Sequence, residues 1–338
     1  MRGRERTQRG MVLIAVIFFI ALLVSGIATF LRRATLDGMI AQNRDLVSRS
    51  EALARGGVRL ATALLLQDRF DEVAIGFRSD SRNDLWARAG EVEIPVADGG
   101  LLRVRIEDAG SRLNLNGLLD ADGTAGIDAE SFLAAFLDKV IEEMQVSDEE
   151  KNYDSGELAR SLVDFVDADD VEPRGDREDD YYQLQDPPYR APNRPLLSVD
   201  ELRLVEGFDA ALVDAIRPYA TVFPFTGGGI NPNTAPSHVL AALYHGTSGD
   251  HRLADEETVR RILTLREGTI LCEESAQNPA CTPIQETGLE GIYPSPTYTA
   301  EVFEVRAEAR YGQVRRTVEA VIDRSNPAEP LVLSWRVR

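Results

Sequence analysis

A chain of 338 residues, 43 % hydrophobic and 28 % charged, is long enough for one large or two ordinary domains and apolar enough to bury a core. Its formal net charge of −19 repels phosphate backbones and anionic lipid headgroups, which disfavours nucleic acid and favours a cation such as calcium. No G-x-S-x-G elbow, phosphate loop or H-E-x-x-H motif occurs, so the sequence supports no enzymatic reading.

The first ten residues set Arg2, Arg4, Arg6 and Arg9 against Glu5, a local +3 that leaves −22 for everything after Gly10. Met11–Leu31 follows, 21 residues without a charge, closed by Arg32 and Arg33. As a helix it spans roughly 30 Å, the thickness of a bilayer core. A secretory h-region is shorter, about 7–15 residues, and ends in a small-x-small cut site. The nearest candidate here, Ser25–Ala28, lies inside the apolar run, so a retained anchor is expected rather than a discarded signal. The basic leader stays cytoplasmic under the positive-inside rule, and the acidic bulk is exported.

Residues 32–68 contain no proline and carry apolar side chains at helical intervals, among them Leu36, Met39, Leu46, Leu53, Val58, Leu64 and Leu65. One helix is expected to leave the membrane and run to about Asp68, with a weak point at Gly56 and Gly57. Alternation then predicts strands over 92–96 and 101–107 around Gly99 and Gly100. Near the C-terminus it predicts two more around Tyr311 and Gly312, with "LVLSWRV" as a final strand. A long helix followed by antiparallel strands is an α+β plan, with a helix-and-strand portion over 32–117 completed by strands over 295–338.

The intervening block, 118–294, differs in character and reads as an inserted all-helical domain. "IDAESFLAAFLDKVIEEM" places Phe132, Leu133, Phe136, Leu137, Val140, Ile141 and Met144 on one stripe, with Asp128 as the expected N-cap. Further short helices are expected in "SGELARSLVDFV", "SVDELRLVEGFDAALVDAIRPYA", "APSHVLAALYHG" and "DEETVRRILTLREG", and Ser198 with Glu201 forms a capping-box pattern. Two of these segments are similar to helix-hairpin-helix DNA-binding modules, but the turn Glu206-Gly207-Phe208-Asp209 is acidic where such modules carry lysine, which opposes DNA binding.

From Asp164 to Asp180 nine residues are acidic. Composition alone suits either a solvated loop or a hard cation with oxygen ligands. The EF-hand pattern is not met there, nor at Asp120-Ala121-Asp122-Gly123, which reads as a turn. Cys272 and Cys281 flank a short loop, and in an exported domain a local disulfide worth roughly 2–3 kcal/mol is expected. His238, His245 and His251 show no metal-like spacing with these cysteines.

A basic leader ending at Gly10, an apolar helix running into a soluble one, and an antiparallel sheet together resemble a type IV pilin-like precursor. "EDAGSRLNLNGLL" (107–119), "LVDFVDADDVEPRGDREDDYY" (162–182), "PPYRAPNRPLLSVDELRLVEGF" (187–208) and "INPNTAPSHVLAAL" (230–243) narrow the resemblance to the K-type minor pseudopilins of type II secretion, general secretion pathway protein K. The resemblance implies cleavage after Gly10 by a prepilin peptidase, N-methylation at Met11, and a single-pass inner-membrane protein of a Gram-negative cell with its bulk in the periplasm. It implies a subunit at the tip of the pseudopilus, which starts or caps the filament and works with I-type and J-type minor pseudopilins above the major pseudopilin. Most pilin-like subunits have glutamate five residues after the cut, whereas this chain has Ala15, an absence the K-type members share. The family also implies calcium in the inserted domain, its ligands drawn from Asp167, Asp169, Asp170, Glu172, Asp176, Glu178, Asp179 and Asp180. The rival readings are an anchored DNA-handling protein, an anchored periplasmic calcium-binding module, and the equivalent subunit of a related pilus.

Overall fold

The computed structural model describes residues 3–120, 122–145, 152–168, 179–225, 227–247, 250–273 and 281–338. The first element, α1, runs unbroken from Gly3 to Ile75. It passes the expected stop at Asp68 because nothing before Gly76 breaks it. Gly76 adopts φ +76°, and its N–H closes the last turn on the Glu72 carbonyl at 2.9 Å. Gly56 and Gly57 interrupt nothing. A β-carbon on Gly57 would meet Ala307 at 2.8 Å and Leu102 at 2.9 Å, so the missing side chain is what lets the helix lie this close to the sheet. A β-carbon on Gly56 would meet nothing within 4 Å. The adjacent glycines are therefore expected to respond in opposite directions. In thermal melts Gly57→Ala should destabilise by about 1–3 kcal/mol through overpacking, and Gly56→Ala should stabilise by about 0.5–1 kcal/mol through helix propensity.

After α1 come the short helix α2 (Leu85–Arg88), strand β1 (Ile94–Val96) and strand β2 (Gly100–Asp108). The inserted lobe then holds β3 (Leu113–Asn114), α3 (Ala129–Glu143), α4 (Ser155–Val166), α5 (Asp179–Gln183), α6 (Ala210–Ile216), β4 (Ala220–Thr221), α7 (Ser237–Leu240), β5 (Tyr244–His245), β6 (Arg252–Leu253), α8 (Glu256–Gly268), β7 (Ile270–Cys272) and β8 (Cys281–Pro283). It is not wholly helical: β3 pairs with β4, β5 with β6, and β7 with β8, short ladders that satisfy backbone groups between helices. The chain closes with β9 (Val302–Tyr311), β10 (Val314–Asp323) and β11 (Leu331–Val337).

The main sheet is antiparallel throughout, in the order β1-β2-β9-β10-β11. Asp108 stands opposite Phe303, so the inserted lobe leaves and re-enters at one end of two paired strands. Ala54, Val58, Ala61 and Leu65 of α1 meet the alternate residues Leu102, Val104, Ile106, Val305, Ala307, Val318 and Ala320 of the sheet in one buried cluster. Trp86 and Phe303 close it edge to face, ring centroids 4.9 Å apart. The inserted lobe has its own core, built on Phe132, Phe136, Leu162, Phe165, Leu212 and Ile262, and it takes in Leu113 and Leu115 ahead of residue 118.

Local capping differs from the sequence pattern. Asp128 stands at the N-cap of α3, but with φ −101° and ψ 3° its carboxylate makes no cap bond. Asp154, Asp209 and Asp255, in extended conformations, cap α4, α6 and α8 through the N–H groups of Glu157, Leu212 and Thr258. The capping box at Ser198 and Glu201 does not form. Val199–Leu204 winds as a 3-10 turn, Ser198 accepts from the Asp200 N–H, and Glu201 turns instead to Arg194 and the Leu197 N–H. The expected turn is seen in the Asp120 carbonyl, which accepts from the Gly123 N–H at 2.9 Å, and the Asp122 carboxylate accepts from the Thr124 hydroxyl at 2.7 Å. A disulfide joins Cys272 to Cys281 with the Cα atoms 5.9 Å apart.

Of the histidines, His238 packs on Tyr219 and His251 on Tyr244. His245 is buried in β5. Burial pushes its pKa down, and Arg252 adds to the effect while Asp255 opposes it. A depressed imidazole binds fewer protons folded than unfolded, so its contribution is complete above the ordinary pKa of about 6.5 and is lost as pH falls from there through the lower folded value. Melting temperature should therefore fall more between pH 7 and pH 5 for the unaltered chain than for His245→Gln.

Candidate functional site

Two features stand outside the two cores: the bare half of α1, and the junction where the inserted lobe rests on the sheet. From Met11 to Leu31 every residue of α1 is exposed, Met11 at 69 % and Phe30 at 71 %. Among the described residues this is the one helix long and apolar enough to cross a membrane. Gly10 and Met11 both lie within it, with Ala15 one turn further on.

The junction is polar and buried. Asp108, at the end of β2, accepts from the Gly110 N–H at 2.7 Å, from the Asn231 side-chain amide at 2.9 Å and from the Thr234 hydroxyl at 2.6 Å. Burial pushes its pKa up, against the pull of these three donors. Asn231 also donates from its backbone N–H to the Gly110 carbonyl at 2.7 Å. Arg82 reaches the Thr234 carbonyl at 2.9 Å. "INPNTAP" is thus the strap that ties the inserted lobe to the sheet.

Beside it lies Arg324, 1 % exposed, just past β10. Its guanidinium donates to Asp80 at 2.6 Å, to Asp68 at 2.7 Å, to the Leu65 carbonyl of α1 at 3.0 Å and to the Ala300 carbonyl at 3.2 Å. It also stands 4.5 Å from the Phe303 ring centre. Burial works against its charge, but Asp80, Asp68 and Glu72 outweigh burial and hold its pKa above the ordinary arginine value. Asp68, Glu72 and Asp80 bring carboxylate oxygens within 4.8 Å of one another, spacing that could suit a metal. The arginine already supplies the positive charge there. The Asp80 carboxylate also receives the Ala300 N–H at 2.6 Å, so one side chain holds the end of α1, the loop after it and the return strand together.

Within the inserted lobe the asparagines of the other quoted segments do similar work. Asn116 donates to the carbonyls of Leu196 and Val222, each at 2.8 Å, and accepts from the Leu196 N–H at 2.7 Å. Asn114 donates to the carbonyls of Pro224 and Gly227. Asn233 brackets Leu271 the same way, from both its N–H and its carbonyl. These side chains stand in for strand partners along irregular backbone. None of them belonged to the expected site, although all sit in segments that carried the family resemblance.

Of the expected calcium ligands, Asp169, Asp170, Glu172, Asp176 and Glu178 lie outside the described residues. Asp179 and Asp180 begin α5, and Asp167 sits at the C-cap of α4.

A bare apolar helix that continues as the core helix of an antiparallel sheet defines a pilin-like subunit with a single membrane-spanning segment, here enlarged by the inserted lobe. Residues 111–225 match the family model of type II secretion system protein K. The chain is 33 % identical over 243 residues to type II secretion system protein K of Pseudomonas aeruginosa, covering 71 % of this chain and 69 % of that one. It is 28 % identical over 337 residues to the Aeromonas hydrophila protein of that name, covering 97 % and 96 %. A solved structure described as the GspK-GspI-GspJ complex from the type 2 secretion system of enterotoxigenic Escherichia coli contains the same fold, with a TM-score of 0.59 and 19 % identity over 88 % of this chain and 99 % of that one. The chain belongs to the type II secretion system protein K family.

Proposed function

We propose that this chain is the minor pseudopilin that starts or caps a type II secretion pseudopilus from its tip, as a non-enzymatic assembly subunit. The observation that carries the reading is where the inserted lobe sits. It is strapped by Asp108, Asn231 and Arg82 to the end of the sheet at which α1 stops, opposite the bare membrane segment. A second subunit stacked above would collide with it, whereas at a filament end the lobe is free. Ala15 agrees with this. In lipid a carboxylate is costly unless it meets a partner, and a subunit without one makes no demand for a neighbour.

On this reading a prepilin peptidase cuts between Gly10 and Met11 and the new amine of Met11 is methylated. The anchor stays in the inner membrane, the bulk of the chain is periplasmic, and I-type and J-type minor pseudopilins bind it above the major pseudopilin. The chain of the related complex is solved with those two partners, which supports the assignment. Calcium bound by the acidic segment 164–180 completes the proposal. N-terminal mass spectrometry of the membrane-extracted protein tests the first part. A chain beginning at N-methylated Met11 only in cells that contain the peptidase is expected, and a chain beginning at Met1 in both cases overturns the pilin-class reading. Co-purification with the I-type and J-type subunits tests the rest.

A further inference from the structure

The main sheet has two edges and protects them unequally. At one, β1 is three residues long and carries Pro95, which has no N–H to offer a further strand. At the other, β11 runs for seven residues from Leu331 to Val337 without a proline, and the sheet ends there. The ladder to β10 fixes which backbone groups of β11 are spare. Arg338 donates to the Thr317 carbonyl at 2.9 Å and accepts from the Thr317 N–H at 3.0 Å. In an antiparallel pair, residues that exchange both bonds alternate with residues that exchange none. Arg336 therefore turns to Glu319, while Trp335 and Val337 turn their N–H and C=O groups to the open edge. The side chains are as incomplete as the backbone. Val318, Ala320 and Ile322 of β10 are buried, whereas their register partners in β11, Val337, Trp335 and Val332, are 39 %, 44 % and 54 % exposed. On the other face the register Arg105–Arg306–Glu319–Arg336 crosses the sheet. Glu319 answers Arg306 at 3.5 Å and Arg338 at 3.3 Å, and Arg336 has no ion pair among the described residues. Asp200 of the inserted lobe feels the charge of Arg336 but is bonded to Arg217 at 2.7 Å.

We propose that β11 is completed by one extended strand of a partner protein, with carboxylates beside Arg336 and Arg338 and apolar side chains beside Trp335 and Val337. The backbone selects a strand, since the spare groups are spaced along an edge about 23 Å long and only an extended chain meets them in step. Charge selects its sign. Arginine, glutamate and arginine follow one another across β9, β10 and β11, and the next lateral position on that face is where a carboxylate would pair with Arg336. Exposure selects its other face, because Trp335 and Val337 lie beside the core cluster and need an apolar neighbour to leave water. The β11 of a second copy fits poorly, as it brings Arg336 and Arg338 again.

The two tryptophans supply the readout, because Trp86 is 2 % exposed and Trp335 is open to solvent. The detergent-extracted full chain is titrated with a synthetic peptide of alternating glutamate and valine. Its fluorescence should shift to the blue and saturate, and a peptide of alternating lysine and valine should bind at least tenfold more weakly. Arg336→Glu should reverse that preference. Val337→Pro should weaken the glutamate–valine peptide at least tenfold at an unchanged melting temperature, since it removes an outward N–H and no bond to β10. Val337→Thr, which keeps that N–H, should bind as the unaltered chain does. Absence of a blue shift, equal binding of the two peptides, or undiminished binding by Val337→Pro refutes the acidic strand while the filament reading stands. Self-association of the unaltered chain that Val337→Pro abolishes overturns it too, and gives the edge to a second copy.

Discussion

Arg324→Ala is expected to lower the stability of the folded body by about 3–5 kcal/mol, measured by chemical denaturation of the detergent-extracted protein. The magnitude follows from what the substitution leaves behind. Asp80 is fully buried, and its two oxygens then keep only the Ala300 N–H. The carbonyls of Leu65 and Ala300 lose the donor that served both. Removing one member of a buried ion pair costs more than the pair is worth, because the remaining charge stays out of water. Arg324→Lys should recover little: an ammonium is a point donor, whereas the guanidinium fork reaches Asp68, Asp80 and two carbonyls at once. A double replacement, Arg324→Met with Asp80→Asn, should be milder than Arg324→Ala alone, since no unpaired charge is left. Equal losses from the two variants would show that the ion pair is not what matters there.

Asp108→Ala is the second large effect, about 2–4 kcal/mol, and its signature is a change in cooperativity. The Gly110 N–H, the Asn231 amide and the Thr234 hydroxyl all lose their acceptor in a dry environment, each at a cost of about 1–3 kcal/mol, offset in part by removing a buried carboxylate. These bonds join the sheet to the inserted lobe, while each lobe keeps its own core. Calorimetry should therefore resolve two transitions where the unaltered chain shows one, the sheet lobe melting apart from the inserted lobe. Asp108→Asn should fall between, because an amide keeps the shape but turns one acceptor into a donor facing donors. A single unshifted transition for Asp108→Ala would show that the lobes are held by something else.

Much of the frame could be read from local pattern. The alternation around Gly99-Gly100 and around Tyr311-Gly312 yields β1, β2, β9 and β10 to within a residue or two at most ends. Where the reading failed, the cause was a neighbour in space. Gly57 looks like a weak point until the sheet is laid against it. Gly76 is the true helix stop, but an isolated glycine after an amphipathic run does not announce a left-handed conformation. Asp128 has the right residue type for a cap and the wrong backbone. Ser198 and Glu201 have the spacing of a capping box, but the chain makes a 3-10 turn, so the glutamate is taken by Arg194.

By itself the sequence determined the anchor, the helix–sheet plan and the family. These rest on properties a short window contains: an uncharged run as long as a bilayer is thick, a period of two or of 3.6, and motifs of a dozen residues. Only the tertiary structure decided the junction. Arg324 meets Asp68 and Asp80 across 256 and 244 residues of chain, and Asp108 meets Thr234 across 126. No local period encodes such pairs. Burying those charges is tolerable only once the sheet, the end of α1 and the inserted lobe close around them together, and that closure sets the inserted lobe at the far end of the sheet from the membrane.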